Sequence, residues 1–302
     1  MNPVICIAGP TASGKSAWAL TLAKKYHGEV INADAIQVYR DLQIISARPT
    51  LDEMDEIPHH LFGHIDGAER YSVGRWLSEV QDIILDILAR GKLPILTGGT
   101  GLYFKALTDG LASIPKVSTT LVSSYLEREG IEALRARAEK LDPKATTRVL
   151  GHDPQRLIRI VSVAEQTSRT LSEWQNDTKP IIPKRYWLGA VLNPDRAALY
   201  NRINKRFDHM IAKGALQELI SLRNRDLAAD LPIMKAIGIS QFPTNLNDKD
   251  AVKQGIELCK RDTRRFAKRQ FTWFRGQAKE WRFVENNFSK QHFEEKIIEK
   301  IH

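Results

Sequence analysis

Eight residues, Gly9-Pro10-Thr11-Ala12-Ser13-Gly14-Lys15-Ser16, have the types and the spacing to hold a polyphosphate. They match G-x-x-x-x-G-K-[ST] and stand in the context that pattern needs. The apolar run at 4–8 before them reads as a buried strand, and 17–25 after them reads as a helix ending in basic residues. The glycines let successive backbone N–H groups turn inward around phosphate oxygens, and the helix N-terminus adds positive potential. Lys15 can reach the terminal phosphate, and the Ser16 hydroxyl can ligate Mg²⁺. The loop alone names neither the phosphate compound nor a transfer of phosphate.

Further side chains with chemistry to offer lie at the ends of two later apolar runs. Asp34 follows Glu29-Val30-Ile31-Asn32. Ligands of parallel α/β sheets bind at the carboxyl ends of strands, so Asp34 is placed to face the loop, either linked to Mg²⁺ or accepting a proton. The run at 92–97 ends Thr97-Gly98-Gly99-Thr100-Gly101. It has no carboxylate, although an ATP-hydrolysing protein with this loop usually holds Mg²⁺ with an acid at such a strand end. Its glycines permit close backbone approach, and Thr100 offers a hydroxyl. Arg202 and Arg206, four apart on a helix begun by Asp195, can pair with carboxylates or clamp a pyrophosphate. His59, His60 and His64 invite a metal reading, but Pro58 and Gly63 mark a loop and the histidines lack the regular spacing of zinc ligands on a helix. A loop with structural histidines is the better expectation.

The elements that position these groups follow from the pattern of apolar residues. With 302 residues, 42% hydrophobic and 27% charged, the chain has enough for one large domain, or for a domain plus an insertion. Residues 71–90 form an amphipathic helix capped by Ser72, with Trp76, Val80, Ile83, Ile84, Ile87 and Leu88 on its buried stripe. A charged, helical stretch at 118–184 separates the third strand from a fourth at 186–192. The expected architecture is therefore α/β: a P-loop NTPase-like parallel sheet core, 1–117 and 185–302, with an inserted, mainly helical domain at 118–184. Within the insertion, Asp153 and Pro154 open a helix that puts Gln155 and Arg159 on one face. A solvated face and a ligand contact both fit that pattern.

Net charge is +9 and the isoelectric point near 9.5, which favours a polyanionic partner. Most of that excess lies in 260–275, where Lys260, Arg261, Arg264, Arg265, Lys268, Arg269 and Arg275 face a single Asp262 and alternate with Phe266, Phe271, Trp273 and Phe274. A basic helix with one buried side is the footprint expected of contacts to a nucleic-acid backbone. No apolar run approaches the roughly 20 residues that span a bilayer, and no signal-peptide pattern opens the chain. Cys6 and Cys259 read as two free thiols. The expectation is a cytoplasmic protein without a membrane partner, and a monomer, since nothing suggests a dimer interface. The polar stretch after about residue 286 reads as a loosely attached helix.

Taken in order, these motifs resemble those of the tRNA dimethylallyltransferases. The resemblance runs through Gly9 to Ser16, Asn32-Ala33-Asp34 with Gln37-Val38-Tyr39-Arg40, Pro58-His59-His60-Leu61, and Gly98-Gly99-Thr100-Gly101-Leu102-Tyr103. It continues in Gln155-Arg156-Leu157-Ile158-Arg159, Met234-Lys235-Ala236-Ile237-Gly238, and Thr263-Arg264-Arg265-Phe266-Ala267-Lys268-Arg269-Gln270 with Thr272-Trp273-Phe274. The resemblance implies transfer of a dimethylallyl group from dimethylallyl diphosphate to the exocyclic amine of the adenosine just 3′ of the anticodon in a tRNA anticodon stem-loop. It makes Asp34 the general base, with Thr100 orienting the reacting centre. Gly9, Pro10, Thr11, Ala12, Ser13, Gly14, Lys15 and Ser16, with Arg206, hold the diphosphate, and Ser16 carries Mg²⁺. It assigns tRNA contacts to Asp34, Ala35, Ile36, Gln37, Thr100, to Gln155, Arg156, Leu157, Ile158, Arg159, and to Arg264, Arg265, Lys268 and Arg269. The reactive adenine is expected to flip out of the anticodon loop.

The chain departs from the family pattern in three places. Ala35 stands where Ser usually follows the catalytic Asp, which bears on one hydrogen bond to substrate or to Asp34. Val122 and Ser123 stand where a basic residue is often found, so one RNA contact is expected to be missing. Ile239 replaces an aromatic. The competing class is a P-loop small-molecule kinase, which has no use for the helical insertion or the basic tail. The tail and the 155–159 motif also argue against free adenine nucleotides as acceptors, and Lys15 beside Asp34 argues against a binding module without catalysis.

Overall fold

The computed structural model describes residues 2–301 and divides into two compact units. One holds the described residues up to Thr108 and from Ile182 on; the other runs from Asp109 to Ile181. In the first unit, β1 (Val4–Ala8), α1 (Lys15–Lys25), β2 (Gly28–Asn32), α2 (Leu51–Met54), β3 (His59–His60), α3 (Val73–Ala89), β4 (Leu93–Gly98) and α4 (Gly101–Thr108) follow in order. The second unit contributes α5 (Thr120–Leu141), α6 (Pro143–Thr146), α7 (Pro154–Thr167) and α8 (Leu171–Asn176). The chain then completes the first with β5 (Trp187–Leu192), α9 (Arg196–Ala212), α10 (Ala215–Arg223), α11 (Lys249–Gln277), β6 (Arg282–Val284) and α12 (Asn287–Ile301).

The six strands form one all-parallel sheet in the order β3-β2-β4-β1-β5-β6. β1 is wholly buried, as a central parallel strand covered on both faces must be, and that is why it reads as an unbroken apolar run. The sheet extends from β1 in both directions, which makes its carboxyl end a switch point where α/β proteins bind ligands. Register brings three strand ends level there: Ala8 pairs with Gly98, and Asn32 with Thr97. The loop after β1, Asp34 after β2 and Thr100 after β4 therefore leave the sheet side by side.

Three features differ from the sequence expectation. His59 and His60 form the edge strand β3 beside Val30 and Ile31 rather than a loop, so the run at 92–97 is the fourth strand in chain order. β6 adds a strand beside β5 through only three residues. The C-terminal helix α12 is anchored, not loose: Phe293 and Ile297, four apart, are buried in the core, and Phe293 meets Trp18 of α1 at 5.5 Å between ring centroids. Burial of each such side chain stabilises by about 1.5–3 kcal/mol.

The second unit has its own core, in which Leu134 and Ala138 of α5 meet Leu157, Ile160 and Val161 of α7. Gly130, at φ 82°, breaks α5 into two helical segments. The buried Asp142 carboxylate caps α6 through Ala145 N–H at 2.9 Å, and accepts Ser172 N–H at 2.8 Å and its hydroxyl at 2.7 Å, fixing α8. The chain thus adopts the expected α/β class, a parallel sheet interrupted by a helical insertion. Among the described residues no helix is long and apolar enough to cross a membrane.

Candidate active site

The loop after β1 enters α1 through Gly14, and no side chain caps that helix. The first N–H groups of α1 are left for an anion. Two cations stand beside them. Lys15 Nζ donates to Pro10 O at 3.3 Å, and Arg206 of α9 donates to Thr11 Oγ1. Burial pushes the Lys15 ammonium down to about 8, with Asp34 opposing and Arg206 reinforcing that shift. Burial also lowers Arg206, again against the pull of Asp34. Among the described residues neither cation has an ion-pair partner. Two desolvated cations without a carboxylate in contact are unfavourable unless an anion joins them.

Asp34 is held by its neighbours through an unbroken set of bonds. The fully buried Asn32 accepts Asp34 N–H at 2.9 Å and donates to the carbonyls of Asp34 and Leu61, each at 3.0 Å. The Asn32 carbonyl in turn accepts the Trp76 indole N–H at 2.9 Å. Asp34 Oδ1 accepts Ile36 N–H at 3.0 Å, so its other oxygen is left to accept a proton. Thr100 Oγ1 accepts Ala35 N–H at 2.9 Å, which leaves the Thr100 hydroxyl hydrogen to donate outward. This closeness depends on Gly98, because a Cβ there would lie 2.0 Å from the Ala33 carbonyl oxygen. Similarly, Gly101 lets the Trp273 ring of α11 come within 2.2 Å of where its Cβ would be.

Asp34, Ala35, Ile36, Thr100 and Arg206 open into one cavity of about 530 Å³. Its opposite wall is apolar, made by Ile203, Phe207 and Met210 of α9 and Phe266, Trp273 and Phe274 of α11. A second cavity of about 520 Å³ holds Lys15, Ser16, Thr97, Arg202 and, again, Arg206. Arg206 therefore faces both spaces. The cradle for an anion and the carboxylate–hydroxyl pair are joined at that guanidinium.

The remaining expected site residues are distributed unevenly. Gln37 donates its side-chain amide to Ser46 O at 3.0 Å and Ala47 O at 2.9 Å, so that amide is committed inside the protein. On α7, Gln155 and Arg156 are exposed and Arg159 is half-buried, its charge disfavoured by burial. With Arg148 and Gln175 they line a cleft of about 510 Å³ within the second unit. Leu157 is fully buried in that unit's core, so its side chain supports α7. On α11, Arg264 donates to Asn204 of α9 at 2.6 Å, whereas Arg265, Lys268 and Arg269 are exposed. Lys260 is mostly buried and paired with Asp208 at 2.7 Å and Glu257 at 3.0 Å.

His60 Nε2 lies 2.8 Å from a Glu29 carboxylate oxygen, and His64 Nε2 lies 3.0 Å from Glu79, both structural pairings. Among the described residues no group of three or more His, Cys, Asp or Glu side chains could hold a metal ion.

Sequence reasoning missed the role of Gln270. It is buried on α11 between Ala267 and Phe271, accepts Thr11 N–H at 2.9 Å, and donates to Gly99 O at 2.9 Å. The signal available was a glutamine on the apolar face of an otherwise amphipathic helix.

Residues 37–277 match the family model described as IPP transferase. The chain belongs to that family. A second model, isopentenyl transferase, matches residues 2–60. The chain is 49% identical over 284 residues to a tRNA dimethylallyltransferase of Maricaulis maris, covering 93% of this chain and 92% of the relative. It is 44% identical over 285 residues to a protein of the same name from a Caulobacter strain, covering 93% and 92%. Among solved structures, the tRNA isopentenylpyrophosphate transferase of Bacillus halodurans matches with a TM-score of 0.71 at 32% identity, covering 100% of this chain and 97% of that one. A eukaryotic dimethylallyltransferase described as acting on tRNA matches with a TM-score of 0.77 at 32% identity, covering 91% of this chain and 70% of that one. The enzyme class, a prenyltransferase, follows from the family.

Proposed function

We propose that this protein transfers a dimethylallyl group from dimethylallyl diphosphate to the exocyclic amine of the adenosine 3′-adjacent to the anticodon of tRNA. The observation that carries this reading is the pairing of Asp34 and Thr100 in a largely apolar cavity that shares Arg206 with the phosphate cradle. A kinase cleft would not need an apolar wall beside its base, whereas a prenyl chain does.

In this reaction the amine nitrogen bonds to the terminal carbon of the prenyl chain as the bond from that carbon to the diphosphate oxygen breaks. The amine proton passes to Asp34, whose backbone Asn32 fixes. Thr100 donates to the acceptor base. Lys15, Arg206, the backbone of Gly9 to Ser16 and the amides of α1 take up the charge that develops on the departing diphosphate. Hard oxygen donors suit Mg²⁺, and the residues present fit it: Ser16 lies in the first turn of α1, and Thr97 in the same cavity has a buried hydroxyl without a hydrogen-bond partner among the described residues. When bound, Mg²⁺ would neutralise part of the diphosphate charge, held by Ser16 with Thr97 beside it.

The RNA is read through its backbone by Arg265, Lys268 and Arg269 on α11 and by Gln155, Arg156 and Arg159 on α7. The adenine enters the Asp34 cavity flipped from its stack, past Ala35 and Ile36. The reaction belongs in the cytoplasm, where tRNA is decoded. The test is incubation of an anticodon stem-loop with enzyme, Mg²⁺ and dimethylallyl diphosphate, followed by nucleoside mass spectrometry: a prenylated adenosine next to the anticodon supports the reading, and an unmodified or phosphorylated product overturns it.

A further inference from the structure

We propose that Glu218 is a positioning residue for the transfer reaction, acting through the strap at 43–49. This rests on the reaction proposed above. Glu218 lies on α10, half-buried, and lines neither cavity. Its carboxylate accepts three successive backbone N–H groups: Gln43 at 2.6 Å and Ile44 at 2.9 Å on one oxygen, Ile45 at 2.7 Å on the other. Three convergent amides form a concave anion seat, and here the anion is supplied from 173 to 175 residues away.

The strap held in this way has no regular structure of its own up to α2. It walls both cavities. Ile45 and Ser46 line the space that contains Asp34 and Thr100, while Ala47 and Pro49 line the space that contains Lys15 and Ser16. The same strap receives the Gln37 amide on the carbonyls of Ser46 and Ala47. Just beyond α10, Arg225 pairs with Asp41, two residues before the strap, and with Asp66 at 2.6 Å. One helix and the turn that follows it thus hold a segment that borders the acceptor space at Ile45 and Ser46 and the diphosphate space from Ala47 on.

The consequence is alignment. The amine must approach the prenyl carbon opposite a leaving group fixed at the phosphate loop. A shift of about 1 Å in such an approach costs about a hundredfold in rate. Releasing Gln43 to Ile45 frees the wall that keeps the two spaces in register, and removes no group that touches either substrate. The expected signature is a fall in kcat with smaller changes in KM for either substrate.

The test compares wild type, Glu218→Ala and Glu218→Gln in steady-state prenylation of the anticodon stem-loop, with amide hydrogen exchange on the free proteins. Glu218→Ala is expected to lower kcat by about tenfold to a hundredfold. Exchange at 43–45 should speed up while the amides of β1 and β4 stay protected. Glu218→Gln keeps the oxygen that serves Gln43 and Ile44 but turns an NH₂ toward Ile45 N–H, so it should fall between the two; it also serves if the alanine variant does not fold. Wild-type kcat in the folded variants would overturn the positioning role, as would a loss of activity matched by uniform exchange throughout the sheet. Failure of the wild type itself to prenylate the RNA would instead overturn the proposed function.

Discussion

Gln270 Oε1 accepts the Thr11 N–H at 2.9 Å, joining the basic helix α11 to the phosphate loop. Because the other end of the same amide donates to Gly99 O, one side chain spans the turn after β1 and the turn after β4. Replacement by Ala leaves the half-buried Thr11 N–H and the buried Gly99 carbonyl unpaired, the latter costing about 1–3 kcal/mol. Gln270→Ala is expected to lower the denaturation midpoint and to raise KM for dimethylallyl diphosphate severalfold. Chemical denaturation and steady-state kinetics measure the two effects, and an unchanged KM would show that the loop holds its shape without α11.

Lys15 carries a pH dependence of definite sign. Its pKa in the fold is near 8, below the ordinary lysine value, so from about pH 8 to 10.5 the unfolded chain binds more protons than the folded one. Stability contributed at this position therefore rises with pH across that window, and the full penalty is present below pH 8. Lys15→Met should be more stable than wild type at pH 7, with the difference shrinking toward pH 10. Diphosphate binding should run the opposite way, strongest below pH 8 and weaker above as the ammonium deprotonates. Calorimetric titration of the wild-type protein with diphosphate from pH 7 to 9.5 checks this, and a flat affinity would remove Lys15 from the contact.

The basic helix separates into paired and exposed cations. Lys260 is paired with two carboxylates and Arg264 with Asn204, whereas Lys268 and Arg269 are exposed. Changing Lys268 and Arg269 to Gln should reduce the slope of log affinity against log salt by about 0.7–0.9 for each phosphate that is no longer neutralised. Arg264→Gln should instead act mainly on stability, through the bond to α9. Filter binding of a tRNA at several salt concentrations distinguishes them. Equal slopes for wild type and the double variant would place the RNA elsewhere.

Thr100 both accepts Ala35 N–H and retains a hydrogen to donate. Thr100→Val removes both while preserving shape. Turnover is expected to fall by about a hundredfold to a thousandfold, the range for removal of one oriented donor, with binding of the diphosphate little changed. Thr100→Ser should recover much of the rate; equal rates for Val and Ser would mean that the hydroxyl has no part in the chemistry.

The site's polar half was legible in the sequence because each piece is local. Lys15 follows a glycine loop, and Asp34 and Thr100 each follow an apolar strand whose register makes their ends coincide. What the sequence hid is set by long-range pairing. Gln270 meets Thr11 from 259 residues away, and nothing around Gln270 announces that partner. His59 and His60 become a strand only because β2 offers them an edge. Charge counting could not tell Lys260, consumed by Asp208 and Glu257, from Lys268, which is exposed. By contrast, the apolar spacing of Leu157, Ile160 and Val161 marks Leu157 as core, although the motif at 155–159 groups it with Gln155 and Arg156, which face outward from the same turn of α7.

In the proposed reaction Asp34 removes the proton from an RNA amine while the phosphate loop holds the leaving diphosphate. This role is tested most directly by single-turnover prenylation of an anticodon stem-loop with wild type and Asp34→Asn, read by nucleoside mass spectrometry. Asp34→Asn keeps the oxygen that accepts Ile36 N–H, so the fold and RNA binding should survive. The wild type is expected to add one prenyl group to the adenosine next to the anticodon, and the variant to do so at a rate lower by about 10²–10⁴. A wild-type rate in Asp34→Asn would contradict that role.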